Sequence, residues 1–190
     1  MKIVHVSFFY DESLATEEEL IQQHYTITGW AEALQRQQVE VIVMNRFCKE
    51  SSVQKNKVHY YFINDLKGGS FRGWRLPVKF LRKIASLDAD VIHLHNLTLS
   101  LQTFLLRRML NKKTAIIIQH HGGKAPGKRK RILHNLLNSV ADGFFFTTRE
   151  QGEEWFMKKR PFFKCLNPMP YAIRLKPFQT IFARCSLKTS

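Results

Sequence analysis

Short runs of consecutive apolar residues alternate along the chain with stretches in which apolar residues recur every three or four positions. The uninterrupted runs are typical of β-strands, and the helical spacing is typical of amphipathic helices. The runs predict strands at residues 2–9, 39–44, 57–63, 91–95, 114–120 and 143–147. The spaced stretches predict helices at 24–37, 77–87, 98–110, 128–140 and 149–158. The segment 11–23 is polar and acidic and shows no strand pattern.

The alternation of strand and helix predicts one α/β fold class. The strands near 3–9, 91–95 and 115–119 are apolar almost throughout, which is typical of strands covered on both faces in a parallel sheet. We therefore predict a Rossmann-like, doubly wound parallel sheet with helices on both faces and these three strands at its centre.

Composition fits a globular protein. A chain of 190 residues with 44% hydrophobic and 24% charged residues is long enough for one domain of ordinary size. Its apolar runs are far shorter than the ~20 residues of a membrane-spanning helix, and no signal peptide is recognisable, so we expect a cytoplasmic protein. Three widely spaced cysteines favour neither a disulfide framework nor a cysteine zinc site.

The net charge of +15 is concentrated near the end of the chain. Residues 158–190 contain eight of the 30 Lys and Arg residues, four of the six prolines and no acid. We therefore place a domain at 1–157 and a basic, proline-rich tail at 158–190. Two interpretations of the tail stay open, a frameshifted or disordered end, which we favour, and a binding arm. Basic charge attracts nucleic acid, anionic lipid or phosphorylated substrates.

Several polar residues follow the predicted central strands. Ligands of open parallel sheets bind beyond the carboxyl ends of the strands. The residues there are Ser7, His95, Asn96, His120, His121, Gly122 and Gly123. Histidine can act as a general base or a hydrogen-bond donor near neutral pH, and adjacent glycines allow a ligand to approach the backbone closely. Each histidine has an alternative interpretation as a purely structural residue.

Other sites are less well supported. A zinc site formed by His93, His95 and His121 has suitable ligands, but no helical histidine pair or carboxylate accompanies it, so we expect no metal. No GxGxxG follows the first strand and no P-loop is present, which argues against nucleotide cofactors. The basic run at 127–131 is typical of a solvated surface, with contact to phosphate or membrane as the alternative. No aromatic pattern indicates RNA recognition.

Four segments resemble one enzyme family. They are MKIVHVSFFY at the start, LDADVIHLHN at 87–96, TAIIIQHHGG at 114–123 and SVADGFFFTTREQGEEW at 139–155. In this order and spacing they resemble the amino-terminal domain of family 4 glycosyltransferases, which have the two-domain GT-B fold. The resemblance covers roughly residues 1–157. One family feature is missing, because residues 11–24 contain no glycine pair where members have a glycine-rich loop.

The resemblance implies a retaining sugar transferase. It places His121, or else its neighbour His120, near the transferred sugar and the acceptor. The family's second domain binds a nucleoside-diphosphate sugar through an E-x7-E pair. Glu32 and Glu40 share that spacing but fall on a helix and a strand of the first half, which we interpret as coincidence. We therefore expect the donor-binding domain to be absent and this half to be inactive alone.

The expected partners follow from this interpretation. They are a sugar or lipid-linked acceptor, an anionic membrane surface contacted peripherally at its inner face, and a separate carboxy-terminal half. No cofactor is expected beyond the donor substrate, and nucleic acid is not expected. The alternative function is a basic Rossmann-type protein that binds nucleic acid or anionic membrane without catalysis. A small-molecule-binding domain is a third, weaker alternative.

Overall fold

The computed structural model describes residues 1–66 and 76–156, together with the backbone of two short strands at 162–163 and 171–174. Its strands are β1 Lys2–Ser7, β2 Glu40–Arg46, β3 Ser51–Lys55, β4 Val58–Ile63, β5 Val91–His95, β6 Ala115–Gln119, β7 Gly143–Phe146, β8 Phe162–Phe163 and β9 Tyr171–Arg174. Its helices are α1 Glu17–Gln23, α2 Tyr25–Arg36, α3 Val78–Ala85, α4 Ser100–Met109, α5 Lys128–Leu137 and α6 Arg149–Phe156. These elements confirm the predicted α/β class.

The strands form one sheet in the order β3-β4-β2-β1-β5-β6-β7-β9-β8. All pairs from β4 to β7 are parallel, while β3 and the two last strands pair antiparallel at the edges. The predicted central position of β1, β5 and β6 is confirmed. From β1 the sheet continues through β2 on one side, and from β5 it continues through β6 on the other side. The strand order therefore reverses between β1 and β5, where sheets of this type bind ligands.

The two faces of the sheet carry different residues. On one face, aliphatic side chains such as Val6, Leu94 and Ile118 pack with residues of α3, α4 and α6 in the largest core cluster. On the other face, α1 and α2 pack over β2 and β4. Because successive residues of a strand point to opposite faces, every central strand contributes to both layers. The predicted covering of both faces by helices is confirmed.

Two elements within residues 1–156 were not predicted. Helix α1 begins after Thr16, whose hydroxyl accepts a hydrogen bond from the Glu19 amide while the Glu19 carboxylate accepts one from the Thr16 amide. This capping box satisfies free amides at the helix start, so the acidic segment folds despite its polarity. Strand β3 is polar, and it pairs with β4 through a tight turn at Asn56 and Lys57, both with positive φ.

The predicted tail at 158–190 lies outside the described residues except for the backbones of β8 and β9. Strand β9 pairs antiparallel with β7, with Phe144 opposite Ile173, and β8 pairs with β9. The sequence pattern did not predict strands here. Within the described part of the chain, no helix is long and apolar enough to cross a membrane.

Candidate functional site

A cleft of about 370 Å³ opens at the carboxyl ends of β1, β5 and β6. Six of the seven predicted site residues line it, namely Ser7, His95, Asn96, His120, His121 and Gly122. Gly123 follows in the same loop but does not line the cleft. The parallel topology explains the convergence, because the carboxyl ends of neighbouring parallel strands meet at one edge.

A wider cleft of about 760 Å³ lies at the opposite edge of the sheet, between the end of α2 and the turn after β3. Its lining includes Arg36, Glu40 and Lys57, near the amino-terminal end of β2. Ligands of open parallel sheets bind at the carboxyl ends of the strands. We therefore assign the candidate site to the cleft at those ends, although it is the smaller of the two.

A chain of three histidines connects the sheet interior with the cleft. Nδ1 of the fully buried His5 lies 3.1 Å from Nε2 of His95, and Nδ1 of His95 lies 2.9 Å from Nε2 of His121. The rings of His95 and His121 also stack, with centroids 5.1 Å apart. A neutral imidazole has one N–H, so all donors in this chain must point in the same direction. The tautomer of His121 is therefore coupled to that of His95.

Burial keeps these imidazoles neutral. It lowers the pKa of His5 to about 4, and it lowers the pKa of His95 well below the ordinary value, with further lowering from the neighbouring histidines. Partial burial in the cleft also lowers the pKa of His121, and the neighbouring His120 and His24 lower it further. At neutral pH the cleft therefore presents neutral rings that can both donate and accept hydrogen bonds.

The two adjacent histidines of the loop differ in their surroundings. His120 is 6% exposed, and its Nε2 lies 3.2 Å from Nε1 of the buried Trp155 and 3.4 Å from the Gly123 carbonyl oxygen. The indole N–H can only donate, so Nε2 of His120 is the acceptor and cannot also donate to Gly123. This contact anchors His120 to α6. His121 is exposed beside it in the cleft.

Backbone geometry explains the glycines of this loop. Gly122 and Gly123 have φ values of +113° and +97°, which side-chain-bearing residues rarely adopt. A Cβ built on Gly122 would lie 3.9 Å from the Gln151 amide nitrogen, an ordinary contact, so conformation rather than space requires glycine. Asn96 also has a positive φ, and its side-chain oxygen accepts hydrogen bonds from the Thr98 amide and hydroxyl.

Sequence reasoning missed His24 as a cleft residue. It precedes α2, and its Nδ1 lies 3.2 Å from the Asn45 side-chain oxygen at the end of β2. Lys124 also lines the cleft and gives it a cation. His24 follows a segment without strand pattern, so no sequence signal placed it near the strand ends.

The comparison with protein families gives one result. The family described as Glycosyltransferase Family 4 matches residues 24–156. This range includes α2, the central strands after β1 and the loop that follows β6 in the cleft. A search of curated proteins found no match.

Proposed function

Since the chain belongs to glycosyltransferase family 4, we propose that it is the acceptor-side half of a retaining sugar transferase. The cleft at the carboxyl ends of β1, β5 and β6 receives the acceptor hydroxyl and the transferred sugar. A nucleoside-diphosphate sugar is the donor. A second domain, which a separate chain can supply, holds the donor and offsets most of the charge of the departing diphosphate. This half alone is inactive in the proposal.

The position of His121 carries this proposal. Its Nε2 contacts His95, which leaves Nδ1 available for a sugar hydroxyl. When His95 donates its Nδ1 proton to His121, Nδ1 of His121 carries the proton and donates to a hydroxyl oxygen. When the chain points the other way, Nδ1 of His121 accepts the hydroxyl proton instead. The neutral state of the ring makes both modes accessible.

Replacing His121 tests this role. The domain is joined to a carboxy-terminal half of the same family, and sugar transfer is measured for the wild type and for His121→Ala. We expect a turnover decrease of ~100-fold or more with little change in melting temperature. His59→Ala is the control, because His59 is exposed on β4, far along the sheet. Unchanged turnover with a clearly lower melting temperature would assign His121 a structural role only.

The surface of α5 favours an acceptor at a membrane. This helix buries none of its residues, and Ile132, Leu133 and Leu136 are 51%, 54% and 68% exposed. The cations of residues 128–131 precede them in the same helix, which starts four residues after Lys124 of the cleft. Exposed apolar residues beside a basic run are typical of helices that lie in anionic membrane interfaces. We propose a lipid-linked acceptor at the inner face of the membrane.

Vesicle flotation tests the membrane contact. The full chain should float with vesicles containing anionic phosphatidylserine and much less with purely zwitterionic ones. Leu133→Ser combined with Leu136→Ser should weaken binding, while Val78→Ser, at an exposed apolar position of α3, should not. Equal binding by all variants would contradict the role of α5. The non-catalytic alternative would be favoured if the domain joined to a carboxy-terminal half binds vesicles or nucleic acid but transfers no sugar.

A further inference from the structure

Three buried histidines meet beneath α2, on the sheet face that this helix covers. His5 of β1 and His93 of β5 are register partners, and His95 follows two residues later on the same face. Each ring offers one nitrogen, and these three atoms lie within 4.8 Å of one another. The sequence suggested His93, His95 and His121 as the alternative zinc ligands. The structure groups His5 with the first two and places His121 outside the group.

Protein hydrogen bonds do not use all the polar atoms of this cluster. In the described part of the chain, Nε2 of His93 and the side-chain oxygen of Gln119 are buried without a hydrogen-bond partner. Gln119 is the register partner of His95 on the next strand. Buried polar atoms nearly always have a partner, which can be an ion or an ordered water, so these atoms are compatible with a bound ion.

The spacing of the cluster suits a tetrahedral ion. Zn–N bonds of roughly 2.0 Å at the tetrahedral angle place two ligand nitrogens about 3.3 Å apart. Nδ1 of His5 and Nε2 of His95 are 3.1 Å apart, which is compatible with joint ligation as well as with a hydrogen bond. The widest separation in the group, 4.8 Å, must shorten by roughly 1.5 Å to reach that spacing. The proposal therefore requires these buried rings to move toward one another when the ion binds.

We propose that His5, His93 and His95 bind a divalent transition-metal ion of the zinc type, with the side-chain oxygen of Gln119 as the fourth ligand. Imidazole nitrogen and amide oxygen are ligands for such ions, and three histidines with one further ligand complete a tetrahedral site. The ion joins the ends of β1, β5 and β6 below the cleft.

A hydrogen bond on the outer side of the cluster supports ligation. Nδ1 of His95 faces Nε2 of His121 at 2.9 Å, which is the outer hydrogen bond that metal-bound histidines usually make. A metal on Nε2 of His95 would therefore fix the proton on its Nδ1. His121 would then donate from its own Nδ1 into the cleft.

Metal binding is tested on the full chain without an affinity tag, after treatment with a chelator. We expect one zinc ion per chain to remain after zinc addition and gel filtration, and the visible absorption of tetrahedral Co²⁺ after cobalt addition. The melting temperature should rise by roughly 5 °C or more when free zinc is 100-fold above Kd. These measurements do not depend on sugar transfer. Metal binding can therefore fail while the proposed transferase function holds, and the transferase function can fail while metal binding holds.

Variants separate this site from adventitious binding. His93→Gln should lose the stoichiometric ion, whereas His59→Gln, at an exposed histidine away from the cluster, should keep it. If His93→Gln does not fold, zinc-edge X-ray absorption of the wild type decides, with three imidazole nitrogens at about 2.0–2.1 Å expected. Three outcomes would overturn the proposal. The wild type retains no zinc, His93→Gln retains as much zinc as the wild type, or the coordination shell lacks three imidazoles.

Discussion

An ion pair beside the cleft offers a sharp test of the packing. Arg46 ends β2 and Asp65 follows β4, and their side chains are only 7% and 3% exposed. Nε of Arg46 lies 2.9 Å from one carboxylate oxygen of Asp65, and a terminal nitrogen lies 2.8 Å from the same oxygen. Another terminal nitrogen of Arg46 donates to the carbonyl oxygen of Phe8, directly after Ser7 of the cleft. The pair therefore holds the end of β1 in position.

Replacing Asp65 by Ala should strongly destabilise the protein. It deprives a buried guanidinium of its carboxylate, which typically costs about 3–5 kcal/mol. At 2–4 °C per kcal/mol for a domain of this size, the melting temperature should fall by roughly 10 °C. Arg46→Met should also destabilise, by leaving the Asp65 carboxylate buried without its cation. The free energy of unfolding of the double variant should fall by less than the sum of the two single-variant losses. We expect a coupling free energy on the order of 2 kcal/mol.

Urea unfolding and thermal melts of the four proteins measure this cycle. Lys79→Ala is the control, because Lys79 pairs with Glu50 at the surface, where both side chains are more than half exposed. Such pairs contribute little, so its melting temperature should stay close to that of the wild type. Additive losses in the double variant, or a change of less than about 2 °C for Asp65→Ala, would refute the inferred role of the pair.

Three further predictions concern local structure, each measured by thermal or urea unfolding. Trp155→Phe removes the indole donor to His120 and should cost about 1–3 kcal/mol; no loss would mean that this hydrogen bond contributes nothing. Gly122→Ala should cost about 1–2 kcal/mol because its φ is +113°, while Gly127→Ala, where a Cβ meets nothing within 4 Å, should cost less; equal effects would contradict the strain argument. Thr16→Ala should cost about 0.5–2 kcal/mol through loss of the α1 cap, and an unchanged midpoint would show that the cap is dispensable.

The sequence predicted those parts of the fold that depend on residues close together in the chain. The apolar runs at β1, β5 and β6 are buried on both faces, so their pattern alone indicated central parallel strands. The capping box at Thr16 and Glu19 was also present in the sequence, but the acidic composition of the segment concealed α1. Strand β3 has no apolar pattern because only one edge of it is paired and its residues are largely exposed.

The candidate site was predictable as a location but not as a set of contacts. Strand ends identified His95 and His121, since the carboxyl ends of parallel strands meet at one edge. The position of His5 opposite His93 depends on the register between β1 and β5, which are separated by more than 80 residues of chain. His24 reaches the cleft because α2 folds back over the sheet and its start contacts Asn45. Neither arrangement is encoded in local periodicity.

The two faces of the central strands differ in polarity near the cleft. On the face covered by α3, α4 and α6, the strands stay aliphatic up to their carboxyl ends, with Val6, Leu94 and Ile118. On the face beneath α2, the same strands begin with aliphatic residues and continue with polar ones that include His5, His95 and Gln119, all buried. Burying polar groups costs free energy that aliphatic residues would not, so packing alone does not account for this face. The difference begins below the cleft and continues into it through His121, as expected if the polar layer serves the cleft.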